Sequence, residues 1–266
     1  MTAKSELYRR AGGDLQVSVV TITKNDPVGL ASTRDSLRGV KCEWIVVDGS
    51  RTQQESRRTR NALASDEAIL IQGRDRNRFH AMNLGLRAST SPFVLFLNGG
   101  DQLANAAALY SISQALEKNV WAVGRCIAVD SSGKHLWEYP RPRPRSFSHR
   151  VGLRSLPHQA TVYRREELVS WGGFREDSIF SDWLLSLQFA KKWKPHVADD
   201  VLSYFLIGGI SSQQSLRFWT DESHRLRTLG RENFFGHVAV DKILGRATEN
   251  VLRTRMLSHI RADLAR

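Results

Sequence analysis

The chain has 266 residues, of which 41% are hydrophobic and 25% charged, a composition typical of a globular protein with one α/β catalytic domain and an appendage. No apolar run approaches the roughly 20 residues that span a bilayer, and no signal-like apolar segment stands at the N-terminus. The two cysteines, Cys42 and Cys126, lie outside any metal-type spacing, which argues against a zinc site and a disulfide scaffold. The low cysteine content predicts a cytoplasmic protein. The net charge of +12 predicts an anionic partner, such as a phosphorylated substrate, an anionic lipid surface or nucleic acid.

The first half of the chain alternates apolar runs with segments of helical character. The runs predicted as strands are Val17–Thr23, Glu43–Asp48, 68–71 and 93–97, and the predicted helices cover about 28–38, 51–64 and 79–88. This alternation predicts a parallel sheet with helices on both faces, whose ligands bind beyond the carboxyl ends of the strands. The polar residues at those ends are Asn25, Asp48, Asp75 and Asp101.

The pattern changes after about residue 115. Residues 120–129 and 134–139 flank a turn-like Asp-Ser-Ser-Gly sequence and predict a hairpin. The alternate prolines of 140–145 are incompatible with a regular helix or a central strand, so this arginine-rich segment is predicted to be an extended basic loop.

Later segments predict two further strands and helices. Residues 159–163 and 197–207 have extended character, whereas the spacing of Phe180, Trp183, Leu184 and Leu187 predicts an amphipathic helix. From about residue 212 onward the chain reads as helical and basic.

The sequence Asn98-Gly99-Gly100-Asp101 follows the fourth predicted strand. An acid behind a buried strand, with two glycines beside it, allows backbone and carboxylate to approach a ligand closely. Such a carboxylate can hold Mg²⁺ or Mn²⁺ against a diphosphate and thereby stabilise a leaving nucleotide. Asp is equally favoured in a turn or as a helix N-cap, and this structural interpretation stays open.

Three other positions carry candidate chemistry, each with a structural alternative. Asp48 can accept hydrogen bonds from a base or a ribose, or can be a turn residue before Gly49. Asp182 can take a proton from an attacking hydroxyl, or can stabilise the first turn of its helix. The pair His158-Gln159 can contact a phosphate or an acceptor, or can be structural.

Seven segments occur in an order that resembles the family 2 glycosyltransferases with the GT-A fold, over about residues 16–212. They are VSVVTITKN at 17–25, EWIVVDGS at 43–50, RDRNRFHAMNLGLRAS at 74–89, FVLFLNGGDQL at 93–103, PHQATVYRRE at 157–166, IFSDWLLSLQFAKK at 179–192 and IGGIS at 207–211. The third resembles the family's GIYDAMNKGI segment, and the last three resemble a bacterial branch that acts on polysaccharide or glycolipid.

The resemblance implies an α/β fold with a Rossmann-like, mostly parallel sheet and helices on both faces. It divides the chain into a flexible lead (1–15), a catalytic domain (16–212) and a basic helical C-terminal extension (213–266). Within the catalytic domain, residues 16–115 would bind the nucleotide-sugar and 116–212 the acceptor. The implied activity is inverting transfer of a sugar from a nucleotide-diphosphate-sugar to a hydroxyl of a glycan or lipid-linked acceptor.

The resemblance also assigns roles to individual residues. Asp182 matches the catalytic base, and Asp101 matches the last acid of the metal motif and would hold Mg²⁺ or Mn²⁺. The remaining residues would bind the donor: Thr23, Asn25 and Asp48 at the nucleoside, Asp75, Met82 and Asn83 at the nucleotide and sugar, Asn98 at the strand end, and His158 and Gln159 near the diphosphate or the acceptor.

Two departures from the family pattern qualify these roles. Gly100-Asp101 stands where the family usually has two adjacent acids, which predicts a weakly bound cation and admits a second interpretation, a non-catalytic nucleotide-sugar-binding subunit. Arg78 and His80 stand where Ile and Asp are usual, and either is predicted to stabilise the diphosphate with positive charge.

The basic tail predicts peripheral contact with an anionic membrane at the inner face of the cell membrane. Apolar residues form a rough stripe along 243–252 with arginines around it, as in helices that bind anionic surfaces. Packing of this helix against its own domain is the alternative. The charge is the only feature that suggests nucleic acid, and the sequence has no helix-turn-helix, RNP-like strand or zinc spacing, so no nucleic-acid partner is predicted.

Overall fold

The computed structural model describes residues 16–63, 68–73, 75–130, 132–139, 156–178 and 181–207. The predictions made for residues 1–15, for the arginine-rich loop at 140–145, for Phe180 and for the chain from 212 onward lie outside the described residues. Within the described ranges, no helix has both the length and the apolar character needed to cross a membrane.

The described residues form nine strands and six α-helices. The strands are β1 (Val17–Thr23), β2 (Glu43–Asp48), β3 (Ala68–Gln72), β4 (Phe93–Phe96), β5 (Gln102–Leu103), β6 (Trp121–Val129), β7 (His135–Tyr139), β8 (Thr161–Arg164) and β9 (His196–Leu206). The helices are α1 (Pro27–Ser36), α2 (Gln53–Leu63), α3 (Arg78–Ala88), α4 (Ala106–Ala115), α5 (Arg165–Ser170) and α6 (Ser181–Lys192). A short 3₁₀ turn, His158–Ala160, precedes β8.

One sheet contains all nine strands. Its order is β3-β2-β1-β4-β8-β6-β9-β5, and β7 pairs with β6. The four strands of the first half are parallel to one another, whereas β8 is antiparallel to both β4 and β6. The predicted α/β fold with a mostly parallel sheet is therefore confirmed, and the antiparallel β8 makes the sheet mixed. The predicted hairpin is the antiparallel β6–β7 pair.

Helices cover both faces of the sheet, and this explains why the central strands are continuous apolar runs. Alternate residues of a strand point to opposite faces. Val19 joins the cluster that contains Leu30 of α1 and Ile112 of α4, whereas the next residue, Val20, joins the cluster that contains Phe79 of α3 and Phe189 of α6.

The topology brings the predicted site residues to one edge of the sheet. β1 and β2 are parallel and in register, so that Thr23 lies beside Asp48 where both strands end. β4 pairs with β1 on its other side, and the Asn98–Asp101 turn follows β4 at the same edge. Because β8 neighbours β4, the short turn that carries His158 also reaches this edge.

Candidate functional site

The ends of β1 and β2 are joined by backbone and side-chain hydrogen bonds. The amide of Gly49 donates to the carbonyl of Thr23 (2.9 Å), and the amide of Asn25 donates to Ser50 Oγ (3.0 Å). Asn25 has φ of 54°, the left-handed region that Asn tolerates better than most residues. Thr23, Asn25 and Asp48 therefore lie together, as the sequence predicted.

The carboxylate of Asp48 is buried and is held by protein donors. Asp48 is 1% exposed; its Oδ1 accepts from the amide of Ser50 (2.9 Å) and its Oδ2 from Gln72 Nε2 (3.1 Å). Gln72 Oε1 in turn accepts from Arg60 (2.6 Å). The sequence pattern did not identify Ser50, Gln72 or Arg60, and only the position of Gln72 at the end of the third strand pointed to this edge.

Asp75 lies against the turn that follows β2. A Cβ added to Gly49 would come within 2.6 Å of Asp75 Oδ2, so the close approach of this carboxylate requires glycine at position 49. Lys24 Nζ lies 3.6 Å from Asp75 Oδ1. Asp75 thus joins the group around the ends of β1 and β2, with a cation beside it.

Met82 and Asn83 are placed differently from the predicted donor contacts. Met82 is 1% exposed and belongs to the core between α3 and the sheet. Asn83 is 5% exposed; its Nδ2 donates to the carbonyl of Phe174 (2.7 Å) and its Oδ1 accepts from the amide of Phe174 (2.9 Å). Both side chains hold α3 against its neighbours, and neither faces the ends of the strands in this structure as an exposed group.

The Asn98–Asp101 turn is fixed by α1. The hydroxyl of Thr33 donates to the carbonyl of Asp101 (2.7 Å) and accepts from the amide of Gly100 (3.0 Å), while the amide of Gly99 donates to the carbonyl of Ile22 in β1 (2.9 Å). Gly100 has φ of 95°, a conformation that strongly favours glycine. Thr33 was not predicted, because a hydroxyl inside a helix carries no local signal of this role.

Asp101 is buried with one carboxylate oxygen engaged. The residue is 3% exposed, and its Oδ1 accepts from the amide of Leu206 at the end of β9 (3.3 Å). Its Oδ2 has no hydrogen-bond partner among the described residues. Burial raises the pKa of Asp101 to about 8, against the lowering effect of the Leu206 and Asn98 backbone hydrogen bonds.

The residues around Asp101 offer oxygen atoms to a cation. Asn98 Oδ1 is a second buried oxygen without a partner in the described part of the chain, and carboxylate and amide oxygens are ligands that Mg²⁺ and related hard cations accept. In the same part of the chain there is no group of three or more His, Cys, Asp or Glu side chains that could hold a metal. The site fits a cation that takes most of its ligands from water and substrate.

His158 joins the end of β4 to the start of α6. Its Nε2 lies 3.0 Å from Asn98 Nδ2, and its Nδ1 lies 3.1 Å from Asp182 Oδ2. The adjacent Gln159 is buried in the same short turn. The structure thus brings Asn98, His158 and Asp182 together from three separate segments.

Asp182 is an ionised carboxylate in the first turn of α6. Burial alone would raise its pKa, but the hydrogen bond with His158, the charges of His158 and Arg78, and the amide of Trp183 outweigh it and lower the pKa to about 2. The amide of Trp183 donates to Asp182 Oδ1 (2.9 Å). The side chain of Asp182 retains 28% exposure, so an anionic oxygen is accessible to a substrate.

Arg78 and His80 lie in the first turn of α3 and have different neighbours. The positive charge of Arg78 contributes to the low pKa of Asp182, and its guanidinium lies 4.6 Å from the ring centroid of Phe79. His80 Nδ1 instead accepts from the amide of Arg76 (3.3 Å), within the turn before the helix.

Comparison of the sequence with known protein families gives a match. Residues 18–171 match the family described as Glycosyl transferase family 2, and a comparison with curated protein sequences gives no match.

Two solved structures are similar in fold. S. aureus TarS residues 1–349 in complex with UDP-GlcNAc has 19% sequence identity and a TM-score of 0.64, over 86% of this chain and 70% of that one. The mannosyltransferase PcManGT from Pyrobaculum calidifontis, in complex with GDP-Man and Mn²⁺, has 18% identity and a TM-score of 0.61, over 99% of this chain and 84% of that one.

Proposed function

Because the chain belongs to glycosyl transferase family 2, we propose that it transfers a sugar from a nucleotide-diphosphate-sugar to a hydroxyl of a glycan or lipid-linked acceptor, with inversion at the anomeric carbon. The observation that supports this proposal most is the accessible, ionised carboxylate of Asp182, held beside the end of β4 by His158. This arrangement supplies a proton acceptor next to the edge of the sheet where ligands of such folds bind.

The nucleoside of the donor binds at the ends of β1 and β2. Thr23, Asn25, Asp48 and Asp75 surround this place, and the turn around Gly49 presents backbone at close range. The carboxylate of Asp48 is already held by Ser50 and Gln72, so it is pre-oriented and needs little reorganisation when a ligand binds.

A divalent cation, Mg²⁺ or Mn²⁺, accompanies the donor diphosphate. Asp101 Oδ2 and Asn98 Oδ1, the two buried oxygens described above, would hold it together with water and phosphate oxygens. Such an ion supplies charge stabilisation for the leaving nucleoside diphosphate. The fold relative PcManGT was solved with GDP-Man and Mn²⁺, which supports a cation of this class.

Transfer takes place in one displacement. The acceptor hydroxyl oxygen forms a bond to the anomeric carbon while the bond from that carbon to the donor phosphate oxygen breaks, and the nucleoside diphosphate leaves with the electron pair. Asp182 takes the hydroxyl proton. Because the carboxylate has a low pKa, proton transfer follows the rising acidity of the hydroxyl as the new bond forms. A single displacement inverts the anomeric configuration.

The second candidate is a non-catalytic subunit that binds nucleotide-sugars. Gly100, at a position where the family usually has an acid, is the feature that favours it. The ionisation and accessibility of Asp182 favour catalysis, because neither property is needed to bind a donor.

The test combines donor binding with turnover. A panel of UDP-, GDP- and dTDP-sugars is screened with and without Mn²⁺ by thermal shift, since a ligand of the folded state raises its stability. The best donor is then assayed for release of nucleoside diphosphate with glycan and lipid-linked acceptors. We expect Asp182→Asn to keep the thermal shift and to lose at least about 100-fold in kcat. Equal turnover by wild type and Asp182→Asn would reject the mechanism, and donor binding without turnover in the wild type would establish the non-catalytic alternative.

A further inference from the structure

We propose that His158 is a positioning residue for Asp182: its imidazole, held between the side chains of Asn98 and Asp182, orients the carboxylate that accepts the acceptor proton. The inference rests on the proposed function and goes beyond it, because it assigns His158 to the catalytic base rather than to the donor or acceptor. The carrying observation is the continuous contact Asn98–His158–Asp182, with distances of 3.0 and 3.1 Å.

The contacts with Asn98 and Asp182 determine the orientation of the His158 ring. His158 Nε2 lies 3.0 Å from Asn98 Nδ2, and this contact holds the side of the ring that faces away from Asp182. The ionised carboxylate of Asp182 can only accept, so the proton between it and the ring belongs to His158 Nδ1. Asn98 and Asp182 thus hold the ring in one orientation, with Nδ1 facing Asp182 Oδ2.

Asn98 and His158 are both attached to the sheet by hydrogen bonds near them. The carbonyl of Asn98 accepts from the amide of Asp101 (2.9 Å), and the amide of Gly99 donates to the carbonyl of Ile22 in β1 (2.9 Å). The turn that carries His158 is closed by Thr161 Oγ1, which donates to the carbonyl of Pro157 (2.7 Å), and it leads into β8, the neighbour of β4. The position of the ring is thus set by the sheet and not by an exposed loop.

The two oxygens of Asp182 accept hydrogen bonds from different donors, and together these bonds orient the carboxylate. Oδ1 accepts from the amide of Trp183 and Oδ2 from His158, which fixes the plane of the carboxylate. Without His158 the carboxylate can rotate about its last torsion, and a fraction of the molecules no longer presents a lone pair to the acceptor. Loss of one hydrogen bond to a charged group corresponds to about a 10- to 100-fold fall in kcat.

The experiment compares two isosteric variants of the same residue. The amide nitrogen of asparagine can replace Nδ1, and the amide of glutamine can replace Nε2. His158→Asn retains a donor for Asp182, whereas His158→Gln retains only the partner of Asn98. We expect kcat to fall about 10- to 100-fold in His158→Gln and less than about fivefold in His158→Asn, with the KM for the donor within about threefold of wild type in both.

The outcomes separate this inference from the proposed function. Equal losses of kcat in the two variants, or a loss that appears only in the donor KM, would overturn the positioning role. In an Asp182→Asn background, His158→Gln should cause no further loss, because the carboxylate it positions is absent.

A measurement without turnover covers the case in which variants fold poorly or no acceptor is found. Long-range ¹H–¹⁵N NMR of wild-type protein reads the protonation of each ring nitrogen of His158. A proton on Nδ1 that shifts in Asp182→Asn supports the contact, and a ring protonated only on Nε2 overturns it. Absence of transfer by the wild type with every donor and acceptor rejects the proposed function, while the NMR result still decides the contact.

Discussion

At the scale of single residues, Asp101 and Asp182 are two carboxylates with opposite environments. Asp101 has an oxygen without a hydrogen-bond partner in the described part of the chain, and burial raises its pKa to about 8. Asp182 has a pKa of about 2, because His158, Arg78 and the Trp183 amide outweigh its burial. At neutral pH the second group is therefore anionic, whereas the first is stabilised by a proton or a cation. Divergent pKa values of this kind are typical of functional sites.

The raised pKa of Asp101 predicts how stability depends on pH. Since the folded-state pKa of about 8 lies above the ordinary value of 3.8, the stability that this proton contributes is fully present below about pH 4 and is lost as pH rises to about 8. In EDTA, we expect the free energy of unfolding of the wild type to fall relative to that of Asp101→Asn by on the order of 1 kcal/mol per pH unit across this window.

Urea denaturation from pH 4.5 to 8 provides the measurement, and Asp35→Asn, which changes an exposed carboxylate, is the control. Parallel stability curves for wild type and Asp101→Asn would contradict the prediction. Adding Mn²⁺ at pH 8 should stabilise the wild type and not Asp101→Asn, because the cation takes the place of the proton.

The residues that could be predicted are those at strand ends. Thr23, Asn25, Asp48, Asp75 and the Asn98–Asp101 turn follow apolar runs, and parallel strands bring such positions together. The contact of His158 with Asp182 could not be predicted in the same way, because it joins two segments through the position of β8 beside β4. For Met82 and Asn83, the motif predicts their place on α3 but does not predict which face of that helix is buried.

At the scale of elements, α3 is tied to the segment before α6 through Asn83. This side chain makes two hydrogen bonds to the backbone of Phe174, and Asn77 Nδ2 donates to the carbonyl of Glu176 (2.7 Å). The segment also carries Gly173, whose added Cβ would lie 2.5 Å from Asn83 Oδ1. These contacts fix the chain that leads towards Asp182.

We expect Asn83→Ala to destabilise the protein by about 2–4 kcal/mol, because it leaves both polar groups of Phe174 buried without partners. Asn119→Ala, which removes a hydrogen bond from a half-buried asparagine to the carbonyl of Ala115, is the matched control and should cost about 1 kcal/mol or less. Chemical denaturation of the three proteins measures the difference. Equal destabilisation by the two changes would show that the two hydrogen bonds of Asn83 to Phe174 contribute no more than one ordinary hydrogen bond.

The central strands were predicted within one or two residues, because burial on both faces makes them continuous apolar runs. Three elements of the described chain were not predicted: α4, α5 and the two-residue β5. The sequence did hold a signal for α4, since Asn105 is its N-cap and accepts from the amide of Ala107 (2.8 Å). The strand β5 depends on pairing with β9, which no local pattern reveals.

At the scale of the whole molecule, the sheet combines two halves of different pairing. Strand alternation with helices predicts the parallel first half, but the antiparallel insertion of β8 between β4 and β6 is a tertiary arrangement that local sequence does not encode. This insertion also brings His158 to the edge of the sheet where β1, β2 and β4 end. The domain boundaries at residues 15, 115 and 212 stay predictions.

The positive charge of the chain is concentrated outside the described residues. Residues 140–155 alone contain five arginines and no acid. Proximity of such a segment to an anionic surface contributes about 1 kcal/mol per charge. The membrane contact predicted for the basic tail therefore stays a proposal, and residues 140–155 are a second candidate for it.

We expect the full chain to bind vesicles that contain anionic phosphatidylglycerol and to lose more than about tenfold in affinity when the five arginines are replaced by glutamine. The control variant replaces the exposed Arg38, Arg57 and Arg58 by glutamine and should bind nearly as well as wild type. Vesicle co-sedimentation at two salt concentrations measures both. Unchanged binding by the five-glutamine variant would assign the contact to another part of the chain, and a truncation at residue 239 then tests residues 240–266.

The bond from the amide of Leu206 to Asp101 Oδ1 turns one backbone position into a reporter. An amide hydrogen exchanges with deuterated water only when its hydrogen bond opens. The exchange rate of the Leu206 amide therefore reports how often its bond to the Asp101 carboxylate opens. A ligand that draws the carboxylate towards itself should quicken this exchange, while the amide of Ile207, which donates to the carbonyl of Val129, stays slow. Deuterium uptake at these two neighbouring amides would therefore register what Asp101 has bound, without a probe attached to the protein.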